Sequence, residues 1–455
     1  MVAGGDLPGD HRGRGRAGFA TEAASTPWLW RILVAAWLLG ATLDAARIAR
    51  RTPLVPPARR PLGAAVVGVI AVAAVVAAYV GYGAAERATF AAAVDAQGRI
   101  DCTTAVAEFD AVTGPYALTL SRDVAAATAL RGECLSFTAA TRAAEGPDPD
   151  AGISGYEAFR HDHAGSVLRP VVDERLADLH LRRADGARTA LTGQSGSPVV
   201  AADRARTTEA GFTDLLTVLR DLKETAAAQR VPAAMTALAA AAEAPLAAQQ
   251  FCDVLPVLDY EVMLDAGETG SIPATAGQHR AQALLGCGVA EFRAGRFPNA
   301  TTQLQKLLDT YPNDPGGPQA RAAIIAANVA QQTPDPIPLP GPLNVPGSLR
   351  VTLYNVTSGE MTVRMTGTSA AGFTLPGCDG CPSTRAADDD CPDPAGKPAQ
   401  VVQIDPGLYH VLLTSGSGTT GSVRTVTPRD GIELCVYTLP SSPHVPLEVP
   451  LPVPR

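Results

Sequence analysis

The chain has 455 residues, 37 basic and 45 acidic side chains, a net charge of −8 and 5% aromatic content. That length suits several domains, and an acidic balance without a basic, aromatic-laced patch excludes nucleic acid as a partner. The charge is uneven, however: residues 1–60 carry +5 and the remainder −13. Lysine occurs only at Lys223, Lys306 and Lys397 while Ala, Arg, Gly and Pro abound, so alanine richness by itself carries little structural meaning.

Residues 1–27 are rich in Gly and Arg and read as a disordered tail. Residues 28–46 contain the apolar run Trp28–Leu43 with all three tryptophans, which favour the membrane interface. That run is short for a span and carries Arg31, so it either forms a first transmembrane helix with a snorkelling arginine or lies flat at the interface. Residues 47–61 form a basic loop with Arg47, Arg50, Arg51, Arg59 and Arg60 and no acid.

Next comes Leu62–Gly83, 22 residues without a charge. As a helix it rises about 33 Å, enough to cross a hydrocarbon core of roughly 30 Å. A transmembrane helix is therefore expected over 62–85. The basic loop before it belongs on the cytoplasmic side, which puts residues 86–455 outside. The earlier run, Trp28–Leu43, is too long and starts too late for a cleaved signal peptide. The expected location is the cell membrane, crossed once or twice, with the C-terminal region extracytoplasmic.

All eight cysteines follow the span: Cys102, Cys134, Cys252, Cys287, Cys378, Cys381, Cys391 and Cys435. An even set confined to one side of a membrane segment fits disulfides in an oxidising compartment. The competing reading is that the four in helical sequence are small buried hydrophobes.

Residues 86–332 read as helical. Phe212, Leu215, Leu216, Leu219 and Leu222 recur at spacings of three and four, marking one buried face. Pro232 and Pro245 break the chain around an alanine-rich helix. In 281–314, Leu284, Gly288, Gly295, Phe297, Ala300, Leu308 and Pro312 match the positions of a helix pair. Gly288 and Ala300 permit close approach, Gly295 turns the chain, and Pro312 stops the second helix. This segment resembles a 34-residue tetratricopeptide repeat, with Glu291 departing from the usual aromatic. The resemblance implies stacked helix pairs and a concave groove that holds protein or peptide partners. A degraded form of the arrangement recurs around Cys102 and Cys134. Residues 100–183 and 250–332 thus read as two related blocks, each stapled by one disulfide between adjacent helices, Cys102 to Cys134 and Cys252 to Cys287. Each bond is expected to contribute about 3–4 kcal/mol.

Residues 333–347 form a proline-rich linker, expected to be an extended, stiff spacer. Over 348–439 the period changes to two: Met361, Val363 and Met365 alternate with polar residues, as do Ile432, Leu434 and Val436. About seven short strands are expected, folded as an antiparallel β-sandwich. The segment DPGLYHVLL (405–413) resembles the strand and turn of bacterial prealbumin-like surface modules. Residues 440–455 are a proline-rich tail. The fold class is thus multidomain α plus β: a transmembrane helix, a tetratricopeptide-like α-helical array and a C-terminal β-sandwich.

In the β-module, Cys378, Cys381 and Cys391 share a loop and Cys435 sits on the last strand. Three pairings are open, and a four-thiolate zinc site is the alternative to disulfides. Asp388, Asp389 and Asp390 read as a solvated acidic loop rather than a calcium site. GQSGSPVV (193–200) resembles the nucleophile segment of trypsin-like and glutamyl endopeptidases, which would make Ser195 the nucleophile. The upstream histidines His161, His163 and His180 sit in helical, alanine-rich sequence rather than in a two-barrel protease pattern, so no catalytic residue, metal ligand or cofactor is assigned. His161 and His163 fit a surface helix end.

The whole chain resembles membrane-anchored proteins of high-GC Gram-positive bacteria with a short head, a span, a repeat-like outer region and a small β-module. That resemblance implies a non-enzymatic envelope scaffold or adaptor, whose partners are the lipid bilayer and a protein or peptide. The alternatives are a cell-wall or glycan-binding β-module on a helical stalk, and a serine hydrolase using Ser195.

Overall fold

A computed structural model describes residues 60–116, 121–192, 198–341, 349–382, 395–415, 422–427 and 432–436, with a few isolated positions besides. The described chain is mostly helical, with thirteen α-helices followed by a small β-region. It divides into two compact units, residues 1–179 and 180–455.

In the first unit, α1 (Arg60–Gly98) is a single 39-residue helix. Within it, Gly68–Gly98 is long and apolar enough to cross a membrane, with mean hydropathy 1.9 and none of its most apolar window buried. Val69, Ile70, Val76 and Val80 are all more than half exposed, as lipid-facing residues would be. The helix does not end where the apolar run ends. Past Glu86 it turns one face inward, burying Ala93, Ala96 and Gln97. That end packs on α2 (Cys102–Thr113) and α3 (Arg122–Ala144), with the rings of Phe90 and Phe109 6.2 Å apart. Asp101 caps α2 by accepting from the Thr104 amide at 3.1 Å, satisfying one of the orphan donors of the first turn. α4 (Pro149–Asp162) starts in the same way on Asp148, and its Tyr156 and Phe159 pack beside Phe137 of α3.

α5 (Arg169–Thr192) follows, then α6 (Pro198–Asp221). Phe212 and Leu215 in α6 and Leu222 just past its end are buried as the spacing predicts, but Leu216 and Leu219 are only half-buried. Val218 and Asp214 take the inner places instead. Both predicted proline breaks fall at helix starts, Pro232 in α7 (Val231–Ala242) and Pro245 in α8 (Ala244–Ala247), where a missing N–H costs nothing. α9 (Phe251–Glu261), α10 (Ala266–Thr269), α11 (Ile272–Arg293), α12 (Phe297–Thr310) and α13 (Gly317–Ala330) complete the helical part. A core of Val254, Leu258, Leu284, Cys287, Leu304, Leu307 and Ala323 joins α9, α11, α12 and α13.

The proline-rich segment differs from its expected role as a spacer. In its described part, 333–341, Ile337 and Leu339 pack on Phe292, Phe297, Ala300, Ala326 and Ala327. Gly341 then donates to the Thr368 carbonyl at 3.1 Å. Two apolar side chains among the prolines are enough to dock the segment onto the helices.

Seven strands follow: β1 (Leu349–Asn355), β2 (Met361–Thr366), β3 (Ala370–Leu375), β4 (Ala399–Ile404), β5 (Tyr409–Ser415), β6 (Ser422–Val426) and β7 (Ile432–Val436). They form two sheets, ordered β4-β1-β7 and β3-β2-β5-β6. Four ladders are antiparallel, but β1 and β7 run parallel with Leu353 opposite Leu434, so the smaller sheet is mixed rather than wholly antiparallel. Val351, Leu353 and Ile404 of one sheet share a core with Met361, Val363, Met365, Tyr409 and Val411 of the other. The Tyr409 hydroxyl, inside that core, bonds Ser369 Oγ at 2.7 Å and Thr368 Oγ1 at 2.9 Å, so the buried ring carries no unpaired polar atom.

Candidate functional site

The residues singled out as repeat-packing positions come together around the α11–α12 turn. Leu284 and Ala300 are fully buried. A Cβ on residue 288 would lie 2.5 Å from Leu304 Cγ, so only glycine lets these helices approach so closely. Gly295 turns the chain at φ +73°, a left-handed value that favours glycine. The Phe297 ring meets Phe292 edge-on at 5.3 Å. Leu308 is half-buried beside the fully buried Leu304 and Leu307, and Pro312 lies two residues beyond the end of α12.

Glu291, which breaks the repeat pattern, has a local job. It accepts from Arg296 Nε at 2.6 Å, Arg296 Nη2 at 2.8 Å and Asn299 Nδ2 at 3.2 Å. The bonds from Arg296, above all, hold its carboxyl below the usual carboxylate range. The carboxylate thereby ties the end of α11 to the start of α12.

Four of the predicted disulfide cysteines are bonded. Cys252 joins Cys287 between α9 and α11, with Cα atoms 4.8 Å apart, and Cys378 joins Cys381 within one loop, with Cα atoms 5.5 Å apart. The second bond consumes the C-x2-C half-site of the zinc alternative. Cys391 and the side chain of Cys435 lie outside the described residues. Cys102 and Cys134 are not bonded: they stand as buried free thiols with sulfurs 2.6 Å apart. The packing of α2 on α3 has already brought them together, so oxidation alone would close the expected bridge. Cys252, Cys287 and Glu291 also cluster closely, but sulfurs bonded to each other offer no thiolate to a metal.

The histidines separate clearly. His161 is exposed beside Asp162, and His163 rests on the Phe159 ring at 4.9 Å, at the end of α4. His180 differs from both, being buried in α5 with Nδ1 2.8 Å from Asp214 Oδ1. Arg183 Nε donates to the other oxygen of Asp214 at 2.7 Å. Burial works to raise the Asp214 pKa, yet the bonds from His180 and Arg183 outweigh it and hold the carboxyl low. His180 Nε2 is buried without a hydrogen-bond partner. An oriented Asp–His pair is half of an acyl-transfer apparatus, but Ser195 lies outside the described residues, as do Asp388, Asp389 and Asp390. No sequence motif links His180 to Asp214; thirty-four positions and a helix change separate them.

A second polar cluster lies where α7, α9 and α11 meet. Glu261 is fully buried at the end of α9, and its pKa is raised to about 9, first by desolvation and then by Glu243. It is therefore a neutral acid at pH 7. Glu243 in turn is 2.7 Å from His279 Nδ1.

A concavity of about 490 Å³ is an open groove between α12, α13 and the edges of both sheets. Leu308, Ile324, Ile325, Phe373 and Val402 supply apolar walls, with Arg321, Gln305 and Gln400 as polar groups. β3 and β4 are the outermost strands of their sheets on this side, each laddered on one edge only. A smaller recess of about 270 Å³ between α3 and α4 is lined mainly by alanines, Phe159 and His163. No protein-family model, curated protein or solved structure matches the chain.

Proposed function

We propose that this chain is a membrane-anchored scaffold of the cell envelope that holds an extended peptide segment of a partner protein. The observation that carries the reading is the groove between α13 and strands β3 and β4. Its apolar walls suit alternate side chains of an extended segment, and the open strand edges offer backbone hydrogen bonds to it. The helical part serves as a tetratricopeptide-like array, continuous with the anchor through α1, and the β-region serves as a small sandwich. Two disulfides after the anchor favour an extracytoplasmic location for both, since such bonds persist in oxidising compartments. In this reading the groove is a binding surface and not an enzyme active site.

A photoreactive amino acid replacing Phe373 in the full chain tests the reading in intact cells. The expected result is one discrete protein adduct, lost when Ile325→Asp places a charge in the groove. Co-sedimentation with purified cell-wall glycan, unaffected by Ile325→Asp and without any adduct, would instead favour a glycan-binding β-module.

A further inference from the structure

We propose that Cys378, Cys381 and Lys397 form a thiol–disulfide exchange site that oxidises protein dithiols. The two sulfurs are bonded across a C-x2-C loop between β3 and β4. Cys378 is buried, while Cys381 is partly exposed and so the more accessible of the two sulfurs. Lys397 Nζ lies 3.2 Å from Cys381 Sγ and 3.6 Å from Cys378 Sγ. The ammonium therefore touches both sulfurs at once.

This bond has little structural work to do. Cys378 N donates to the Thr357 carbonyl at 2.8 Å, and Ser358 N to the Pro382 carbonyl at 3.0 Å. Buried Asn355 adds a bond from Nδ2 to the Pro376 carbonyl at 2.8 Å. Gly377 fits so tightly here that a Cβ would overlap the Ser358 carbonyl oxygen. These contacts hold the loop without the sulfurs. A cross-link between residues three apart also removes little freedom from the unfolded chain, whereas the Cys252–Cys287 bond closes a separation of 35. One disulfide staples two helices; the other is a poor staple with a cation against it.

The chemistry balances as follows. A thiolate of the partner attacks Cys381 Sγ, forming a mixed disulfide. The Cys378–Cys381 bond breaks, and its electron pair passes to Cys378 Sγ, where Lys397 stabilises the buried thiolate as it leaves. The partner's second thiolate attacks its own sulfur in the mixed disulfide and expels Cys381. The partner departs as a disulfide, having lost two electrons, and the two cysteines take up two protons. One exchange needs no reactant besides the dithiol, and it leaves Cys378 and Cys381 as thiols.

The test treats the full chain, held in nanodiscs, with reduced glutathione, quenches by alkylation and maps each disulfide by peptide mass spectrometry. Cys378–Cys381 is expected to open at least about tenfold faster than Cys252–Cys287, and Lys397→Met to slow that opening about tenfold while leaving Cys252–Cys287 unchanged. Lys397→Arg, which keeps the charge, should recover part of the rate. In Cys378→Ser, oxidised glutathione should trap Cys381 as a stable mixed disulfide. Equal opening of the two bonds, or a rate indifferent to Lys397→Met in a chain whose thermal melt is unchanged, would overturn the proposal.

Discussion

The helical part and the β-region differ in how completely their backbones satisfy their own hydrogen bonds. Among the helices, charges are drawn inside and paired: Asp214 with His180 and Arg183, Glu291 with Arg296, and Glu261 kept neutral. The β-region pairs the buried polar atoms around Tyr409, though not Thr366 Oγ1, and it leaves the outer edges of β3 and β4 without a strand partner. Large apolar side chains are exposed in both parts, Val401 at 50% and Leu408 at 55% here, Val167 at 64% and Met263 at 82% among the helices. A helix satisfies its own backbone, so its surface need not recruit anything, whereas an edge strand presents a row of unused donors and acceptors. In the proposed binding role, α12 and α13 would supply one wall of the groove and the edges of β3 and β4 the other.

Substitutions among the helices should cost stability in proportion to what they leave unpaired. The largest loss is expected for Asp214→Ala, which takes the carboxylate away from the buried His180 imidazole. About 3–5 kcal/mol is the expected cost, seen as a much lower melting temperature. A wild-type-like melt would show that this cluster does not hold the helices together.

Glu261→Gln should act in the opposite direction, and in a pH-dependent way. The folded-state pKa is raised to about 9, above the unfolded value near 4.5. The unfolded chain therefore ionises this group first, and stability drains away as pH rises from about 4.5 towards 9. The glutamine removes that drain, giving a gain of about 3 kcal/mol at pH 7 and none at pH 4, measured as melting temperature against pH. A gain that did not vary with pH would contradict the neutral, buried carboxyl.

Gly288→Ala is the mildest of the three. Its new methyl meets Leu304, so a cost of about 1–3 kcal/mol is expected from overpacking. A parallel Gly286→Ala, facing the Phe251 ring, probes the same closeness on the α9 side. Neither glycine lines the groove, so both changes should leave binding there far less affected than Ile325→Asp does.

Much of the fold was legible because its signals are local. The charge-free run in α1, Gly288 and Gly295 around the α11–α12 turn, and the alternation of Met361, Val363 and Met365 each act within a few residues. The rest depends on partners far away in sequence. β3, with the sequence AAGFTL, shows no clear alternation of residue type and forms beside β2. The parallel pairing of β1 with β7 brings together residues some eighty positions apart. Asp214 occupies a buried helix position that the leucine spacing does not mark, because its counter-charges come from another helix. The groove is likewise invisible in sequence, since its walls come from two helices and two sheets that meet only in the fold.

Backbone hydrogen exchange of the full chain in nanodiscs, with and without the partner segment captured at Phe373, tests the proposed binding role most directly. Protection should rise at the amides of β3 and β4 and along α13, and stay unchanged around Asp214 and Glu261. Protection that rose instead among the helices, with 370–375 and 399–404 still exchanging freely, would contradict it.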